Sequence, residues 1–168
     1  AAVLSRKALR AFFAEQIDPN DRGRYVVDSL NGMAQYRRFE IQRELIKTKE
    51  GDETVFERRL TKHGPIISNI YPSDTLLNDK VVSMQWTGEQ VSDEPGALFQ
   101  LNWAQSFDQV KEAVKRFDVP GQNLMYADRT GNIAMFSMGK IPIRDYSPID
   151  FRKGWDPSYD WKGYVPKE

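Results

Sequence analysis

The stretch PGQNLMYADRTGNIAMFSMGKIPIR, residues 120–144, decides how the rest of the chain is read. Two apolar runs flank a polar centre, and Thr130-Gly131-Asn132 supplies residues that tolerate tight-turn backbone. The pattern predicts a strand over residues 122–127, a turn over 128–132 and a strand over 133–141. Immediately upstream, Ser106-Phe107-Asp108-Gln109 fits a capping box, with Ser at the N-cap and Gln three residues on. Phe107, Val110, Val114 and Phe117 then repeat at helical spacing, which predicts a helix over 107–117 with Glu112 and Arg116 as an i,i+4 pair. A helix leading directly into a hairpin points to an α+β chain with antiparallel strands.

The same reading extends to both ends. Leu9, Phe12, Phe13 and Ile17 share a helical face, so a first helix is expected over residues 4–17, with Ser5 as N-cap and Asp18-Pro19-Asn20 as its stop. A short strand over 24–27 precedes the turn dipeptide Asn31-Gly32. A long strand over 35–48 carries Phe39, Ile41 and Leu45 on one face and Arg38, Glu40, Gln42 and Glu44 on the other. Its partner is expected over 54–67, ending at Pro65 or placing it at an edge. Residues 69–79 read as loop, 81–87 as a buried strand, and SDEPG (92–96) as a break. Beyond Arg144 periodicity is lost. Trp155, Tyr159, Trp161 and Tyr164 make residues 145–168 too apolar for a free linker, so this tail is expected to pack on the domain or on further segments. Residues 1–168 are read as one partial domain.

The totals set limits. The 168 residues are 40% hydrophobic and 12% aromatic, enough for a core. Lys+Arg and Asp+Glu both count 24, so the formal charge is zero, and a nucleic-acid or anionic-membrane surface is not expected. There is no cysteine, which excludes disulfides, thiolate catalysis and Cys-based metal sites. No apolar run approaches the roughly 20 residues of a membrane span, and AAVLSRKALRAFF (1–13) does not read as a signal peptide.

Read residue by residue, the chain offers little chemistry. HExxH, P-loop and GxGxxG patterns are absent. The one histidine, His63 in TKHGPII, reads as a structural residue near a strand end whose ring orients a neighbouring loop. Asp74 with Asp79, and Asp145 with Asp150, read as turn and capping residues. Arg37-Arg38 and Arg58-Arg59 sit beside acidic residues and read as a salt-bridged ribbon face.

Several stretches, taken in order, resemble the penicillin-amidase-like acylases, a family of N-terminal-nucleophile hydrolases. FFAEQIDP (12–19) resembles the family's segment before a Tyr…Asn-Gly strand, here Tyr25 and Asn31-Gly32. TVFERRLTKHGPII (54–67) resembles its strand ending in His-Gly, and VVSMQWTG (81–88) its tryptophan-bearing strand. The 120–144 stretch is the most specific, through Asn123, Tyr126, Ala127, Asp128, Gly131, Asn132 and the Gly-x-Ile-Pro-x-Arg ending at Arg144. GWDPSYDWKGYVPKE (154–168) is similar to the family's Trp-Gly-Tyr/Leu-Pro segment. Within this resemblance His63, Tyr126, Asp128, Asn132 and Arg144 are structural motif residues.

The resemblance implies part of a larger αββα assembly that hydrolyses N-acyl amides with an N-terminal serine. A methyl side chain cannot attack a carbonyl, and this chain starts Ala1-Ala2-Val3. By the family's order the nucleophile lies upstream of residue 1 and the oxyanion asparagine downstream of residue 168. The segment is therefore expected to be the middle of the β-subunit, with no catalytic residue and no activity alone. Its expected partners are the remaining α- and β-subunit segments and a small N-acyl amide substrate. Trp86, Gln122 and Asn123 map to the family's acyl pocket, Gln122 standing where the family can place an apolar residue. The family's calcium ligands precede Phe-Ala-Glu, but residues 6–11 read RKALRA without a carboxylate. A backbone carbonyl near Pro148 would be a further ligand. No calcium or other cofactor is expected. Exposed apolar surface around Phe12, Phe13 and Trp155, with self-association, is expected of such a piece. Family resemblance implies a periplasmic or extracellular location. The alternatives are a free-standing non-catalytic binding module that uses the aromatic tail, and a degenerate family member.

Overall fold

The computed structural model describes residues 9–30, 32–68, 80–147 and 150–167. Among the described residues, ten strands and two helices follow one another: β1 (Arg10–Gln16), β2 (Arg24–Leu30), β3 (Met33–Arg38), β4 (Glu40–Lys47), β5 (Glu53–Thr61), β6 (Gly64–Pro65), β7 (Lys80–Trp86), α1 (Glu94–Trp103), α2 (Phe107–Lys115), β8 (Gln122–Ala127), β9 (Ile133–Met138) and β10 (Phe151–Lys153). Short 3-10 turns occupy Thr87–Glu89 and Pro157–Tyr159. This is the expected α+β class, with β1 and β10 pairing in parallel rather than antiparallel. The described residues form two units, one within Ala11–Gln85 with Tyr146–Asp160, the other within Trp86–Asp145 with residues 161–167 and 9–10.

In the first unit, β1 lies between β10 and β7. It replaces the helix expected over 4–17, of which residues 4–8, including Ser5, fall outside the described residues. Ala11, Phe13 and Glu15 point inward while Arg10 and Gln16 are exposed, a period of two rather than 3.6. The apolar residues fit both periods. Tertiary pairing settles the choice: Phe12, Phe13 and Ala14 pair in parallel with Phe151, Arg152 and Lys153. Phe13 is therefore completely buried, contrary to the expected exposed patch, and Phe12 and Trp155 are partly covered.

The strand expected over 35–48 is two strands. Phe39 is buried, its N–H donates to the Gly23 carbonyl at 3.0 Å, and its ring stacks on Tyr25. That anchor separates β3, which pairs with β2, from β4, which pairs with β5 over Glu40↔Leu60 through Lys47↔Glu53. Ile41, Leu45 and Val55 remain exposed on one face, and Ile46 and Phe56 on the other. The β4–β5 ribbon is thus not apolar-in and charged-out. Pro65 does terminate the ribbon, in the two-residue edge strand β6. The loop expected over 69–79, with Asp74 and Asp79, lies outside the described residues.

The second unit centres on Ala97, Val110, Val114, Phe117 and Met138, with Leu124, Tyr126 and Phe136 packed against them. Helix α1 begins inside SDEPG, the stretch read as a break. Asp93 is its N-cap, accepting from the Gly96 N–H at 3.1 Å, with proline in the first turn. Helix α2 starts as expected, with the Ser106 hydroxyl accepting from the Gln109 N–H at 3.3 Å. The Gln109 side chain reaches back to the Gln105 N–H, one residue before the N-cap. The expected Glu112–Arg116 pair is replaced: Lys115 bonds Glu112, and Arg116 bonds Asp93 at the start of α1. Ser106→Ala is expected to lower stability by about 1 kcal/mol, and Ser106→Asn to restore it, as read by urea unfolding. The hairpin β8–β9 runs in register from Gln122↔Met138 to Ala127↔Ile133. It ends at Met138 rather than 141 because Gly139 turns away at φ 137.

Candidate functional site

The densest cluster of buried polar groups lies in the first unit, around His63. Alternation along β1 turns Phe13 and Glu15 inward. The turn between β5 and β6 carries Lys62 and His63. Ser83 comes from β7, and Gly154 and Asp160 from the tail segment after β10. Glu15, His63 and Ser83 have 0%, 2% and 0% exposure.

Each nitrogen of the His63 ring faces a carboxylate. Nδ1 lies 2.9 Å from Glu15 Oε1, and Nε2 lies 2.8 Å from Asp160 Oδ1. The ring stacks face to face on Phe13, with centroids 3.7 Å apart and 4° between planes. Glu15 Oε1 also accepts from the Ser83 hydroxyl at 2.6 Å and the Thr61 hydroxyl at 3.1 Å. Glu15 Oε2 is buried without a hydrogen-bond partner, against Gly154, where a Cβ would stand 2.0 Å from that oxygen. Only glycine leaves room for the carboxylate there. The Gly154 N–H donates to the Ala14 carbonyl at 2.9 Å, tying the tail to β1.

Lys62 completes the cluster. Its ammonium donates to Asp160 Oδ2 at 3.0 Å, and its backbone N–H donates to the buried Tyr25 hydroxyl at 2.7 Å. Burial acts to lower the His63 pKa, but hydrogen bonds to Asp160 and Glu15, with the charge of Glu15, outweigh it and raise it. For Asp160 desolvation pushes upward, and the bonds from His63 and Lys62 outweigh it, so its pKa is lowered. Burial raises the Tyr25 hydroxyl. Both ring nitrogens are committed to carboxylates, and the Ser83 hydroxyl is directed to Glu15 rather than to the ring. The arrangement cross-links β1, the β5–β6 turn and the tail. It has no nucleophile–base pair of the kind acyl transfer requires.

The other singled-out residues lie in the second unit. Trp86 ends β7, is 40% exposed, and covers Gly88 so closely that a Cβ there would meet the indole at 2.4 Å. Gln122 and Asn123 open β8, both exposed, with Asn123 Oδ1 accepting weakly from the Ser137 hydroxyl at 3.5 Å. Arg144 donates to the Arg10 carbonyl at 3.2 Å. Among the described residues no group of three His, Asp or Glu side chains is arranged to hold a metal ion, and no helix is long and apolar enough to cross a membrane.

At the hairpin tip Asp128 organises the turn. Its Oδ1 accepts from the Thr130 N–H at 2.8 Å, the Thr130 hydroxyl at 2.7 Å and the Asn132 N–H at 3.0 Å. Oδ2 accepts from Tyr126 at 2.9 Å and the Asn132 amide at 2.7 Å. The Asn132 and Thr130 side chains, aided by Tyr126, hold the carboxyl far below the usual carboxylate range. A depressed acid contributes stability above its ordinary pKa of about 3.9 and loses it as pH falls toward the folded value. Asp128→Asn is therefore expected to flatten the acid side of the unfolding-midpoint profile. An unchanged acid slope would refute this.

Glu15, Asp160, Ser83, Thr61 and Gly154 escape sequence reasoning, because the positions lie up to 145 residues apart in the chain. Glu15 sits in FFAEQIDP and Asp160 in GWDPSYDWKGY, two strings that carry the family resemblance, and that is the one signal pointing to them.

The fold defines the class first. The thermostable penicillin G acylase of Alcaligenes faecalis superposes with a TM-score of 0.73 over 94% of this chain and 27% of that chain, at 20% identity. Among curated proteins, the acyl-homoserine lactone acylase QuiP of Pseudomonas fluorescens is 31% identical over 115 residues, covering 67% of this chain and 14% of that protein. The penicillin acylase 2 proenzyme of a Pseudomonas species is 24% identical over 131 residues, covering 76% and 16%. The chain thus spans about a seventh of the length of these relatives. The model of the penicillin amidase family matches residues 5–168, and the chain belongs to that family.

Proposed function

We propose that this chain is a segment of an amidohydrolase that cleaves the linear amide bond of N-acyl substrates through an N-terminal serine outside these 168 residues. The family match across residues 5–168 carries this reading. The serine hydroxyl attacks the amide carbonyl while that serine's own α-amine, with a pKa near ~8, takes its proton. Hydrogen-bond donors stabilise the tetrahedral oxyanion, the amine leaves, and water releases the acid from the acyl-serine. The segment itself contributes framework rather than reacting groups. Trp86, Gln122 and Asn123, all exposed at strand ends of the second unit, supply wall to the acyl pocket. The substrates proposed are N-acyl amides such as acyl-homoserine lactones or penicillins, the compounds for which the two curated relatives are named. The remaining α- and β-subunit segments are its partners, and the parent acts in the periplasm or outside the cell.

Calcium has no part in the proposal. The stretch that would precede the Phe-Ala-Glu motif ends in Leu9, buried against Gly121, and Arg10, whose carbonyl is engaged by Arg144. These are not hard anionic oxygens. Pro148 lies outside the described residues.

The test is expression of the complete reading frame. Expected are self-cleavage exposing a serine, an acyl-serine mass adduct with an activated ester, release of the acid from an N-acyl homoserine lactone or a penicillin, and no loss of rate in a calcium chelator. Trp86→Ala should shift the ratio of kcat/KM values between aromatic and aliphatic acyl groups. Absence of both self-cleavage and adduct would overturn the enzyme reading.

A further inference from the structure

We infer that His63 is a buried imidazolium acting as a pH-sensitive latch, which fastens the tail residues 150–160 to strand β1 and releases them when the ring loses a proton. This reading is independent of the proposed catalysis. It starts from the ring's two neighbours, Glu15 Oε1 at 2.9 Å and Asp160 Oδ1 at 2.8 Å. An ionised carboxylate can only accept hydrogen bonds, and a neutral imidazole has one N–H. A neutral ring would therefore set a bare nitrogen lone pair against a carboxylate oxygen in a site with 2% exposure. Two N–H donors satisfy both contacts. The alternative proton position is Glu15, but Oε2 is buried with no partner to accept from it, and Oε1 already takes the Ser83 and Thr61 hydroxyls.

Charge balance points the same way. Glu15 faces the ring from β1 and Asp160 from the tail, both anionic. Lys62, in the turn beside the ring, faces Asp160 at 3.0 Å. From β2 the Tyr25 hydroxyl meets the Lys62 amide, with Arg37 close by in charge. Thr61 and Ser83 present neutral hydroxyls, and Phe13 presents its ring face. Lys62 pairs with Asp160, so Glu15 has a cation in direct contact only while His63 is protonated. Loss of that proton leaves Glu15, with 0% exposure, as an unpaired buried charge.

Among the described residues, the tail is attached to β1 by other contacts as well. Its pairing with β1 runs over three residues, Phe151 to Lys153, extended by the Gly154 N–H to the Ala14 carbonyl. Phe151 tilts against Phe12, and the Lys80 ammonium lies over the Trp155 ring. Arg152 stacks over Tyr146 and Tyr159 within the tail itself. Strand pairing this short is marginal without further contacts. A histidine raised above its ordinary value of about 6.5 contributes fully below that pH and is lost as pH rises through the raised value. Asp160, lowered, keeps its share until pH falls below the usual carboxylate range. The latch is closed between those limits and opens on the alkaline side.

The test uses the protein that contains this chain, with ring signals of His63 identified by their loss in H63Q, or by contact with the Phe13 ring if that variant does not fold. Nitrogen spectra at neutral pH are expected to show both ring nitrogens protonated. Hydrogen exchange should show the protection of residues 151–154, relative to β8–β9, falling about tenfold as pH rises one unit through the ring's titration. Asp160→Asn should weaken that dependence while leaving β8–β9 unchanged. A ring found neutral at pH ~6.5, the ordinary histidine value, would overturn the proposal. So would protection at 151–154 that ignores the ring's titration.

Discussion

Gly64→Ala is expected to destabilise the first unit by roughly 2–6 kcal/mol, through left-handed backbone strain of about 1–3 kcal/mol and overpacking of about 1–3 kcal/mol. Gly64 sits at φ 107, a conformation that L side chains rarely adopt, and a Cβ would stand 2.4 Å from the Met84 carbonyl oxygen. That obstacle is backbone of β7, which cannot rotate away as a side chain would. Relief requires β6 to move, and with it the contacts that place His63. The Gly64 carbonyl lies 3.2 Å from the Thr61 hydroxyl and shares its one proton with Glu15 Oε1. Gly131→Ala provides the comparison. It has φ 92 and nothing within 4 Å of where a Cβ would stand, so it carries strain without overlap and should cost less. Urea unfolding of the two variants separates the two contributions; equal midpoints would remove the close approach from the explanation.

His63→Leu is expected to cost roughly 3–5 kcal/mol near pH ~6, the range for removing one partner from a buried charge pair. The substitution keeps apolar contact with Phe13 but leaves Glu15 facing no cation. Asp160→Asn should cost much less, because Asp160 is 42% exposed and solvent screens its share. Combining Glu15→Gln with His63→Leu should recover part of the loss, since the orphaned carboxylate is removed. The wild-type margin over His63→Leu should shrink as pH rises above the ring's raised pKa, because a histidine that has lost its proton no longer balances Glu15. Additive single and double variants, measured by denaturant titration, would show that His63 is ordinary packing.

The elements legible in the sequence were those whose evidence is local. Ser106 and the Phe107–Phe117 spacing mark α2, and Asp128 to Asn132 mark the hairpin turn, where the donors to Asp128 come from within four residues. Helix α1 also announced itself, by Asp93 as N-cap and Pro95 in the first turn, but its weak amphipathic pattern allowed SDEPG to pass for a simple break. The β1 segment misleads for the opposite reason. Leu9, Phe12, Phe13 and Ile17 suit a helix, and only parallel pairing with Phe151–Lys153, about 139 residues later, imposes the period of two. The division at Phe39 likewise depends on Tyr25 and Gly23, which no periodicity within 35–48 displays.

By itself the sequence determined the α+β class, the α2–hairpin unit and, through ordered motifs, membership of the penicillin amidase family. Those depend on short-range backbone preferences and on strings of residues that survive as strings. The tertiary structure alone decided that Glu15, His63 and Asp160 meet. The ring holds a carboxylate at each nitrogen only because three strands and a tail bring the three groups together and exclude water between them.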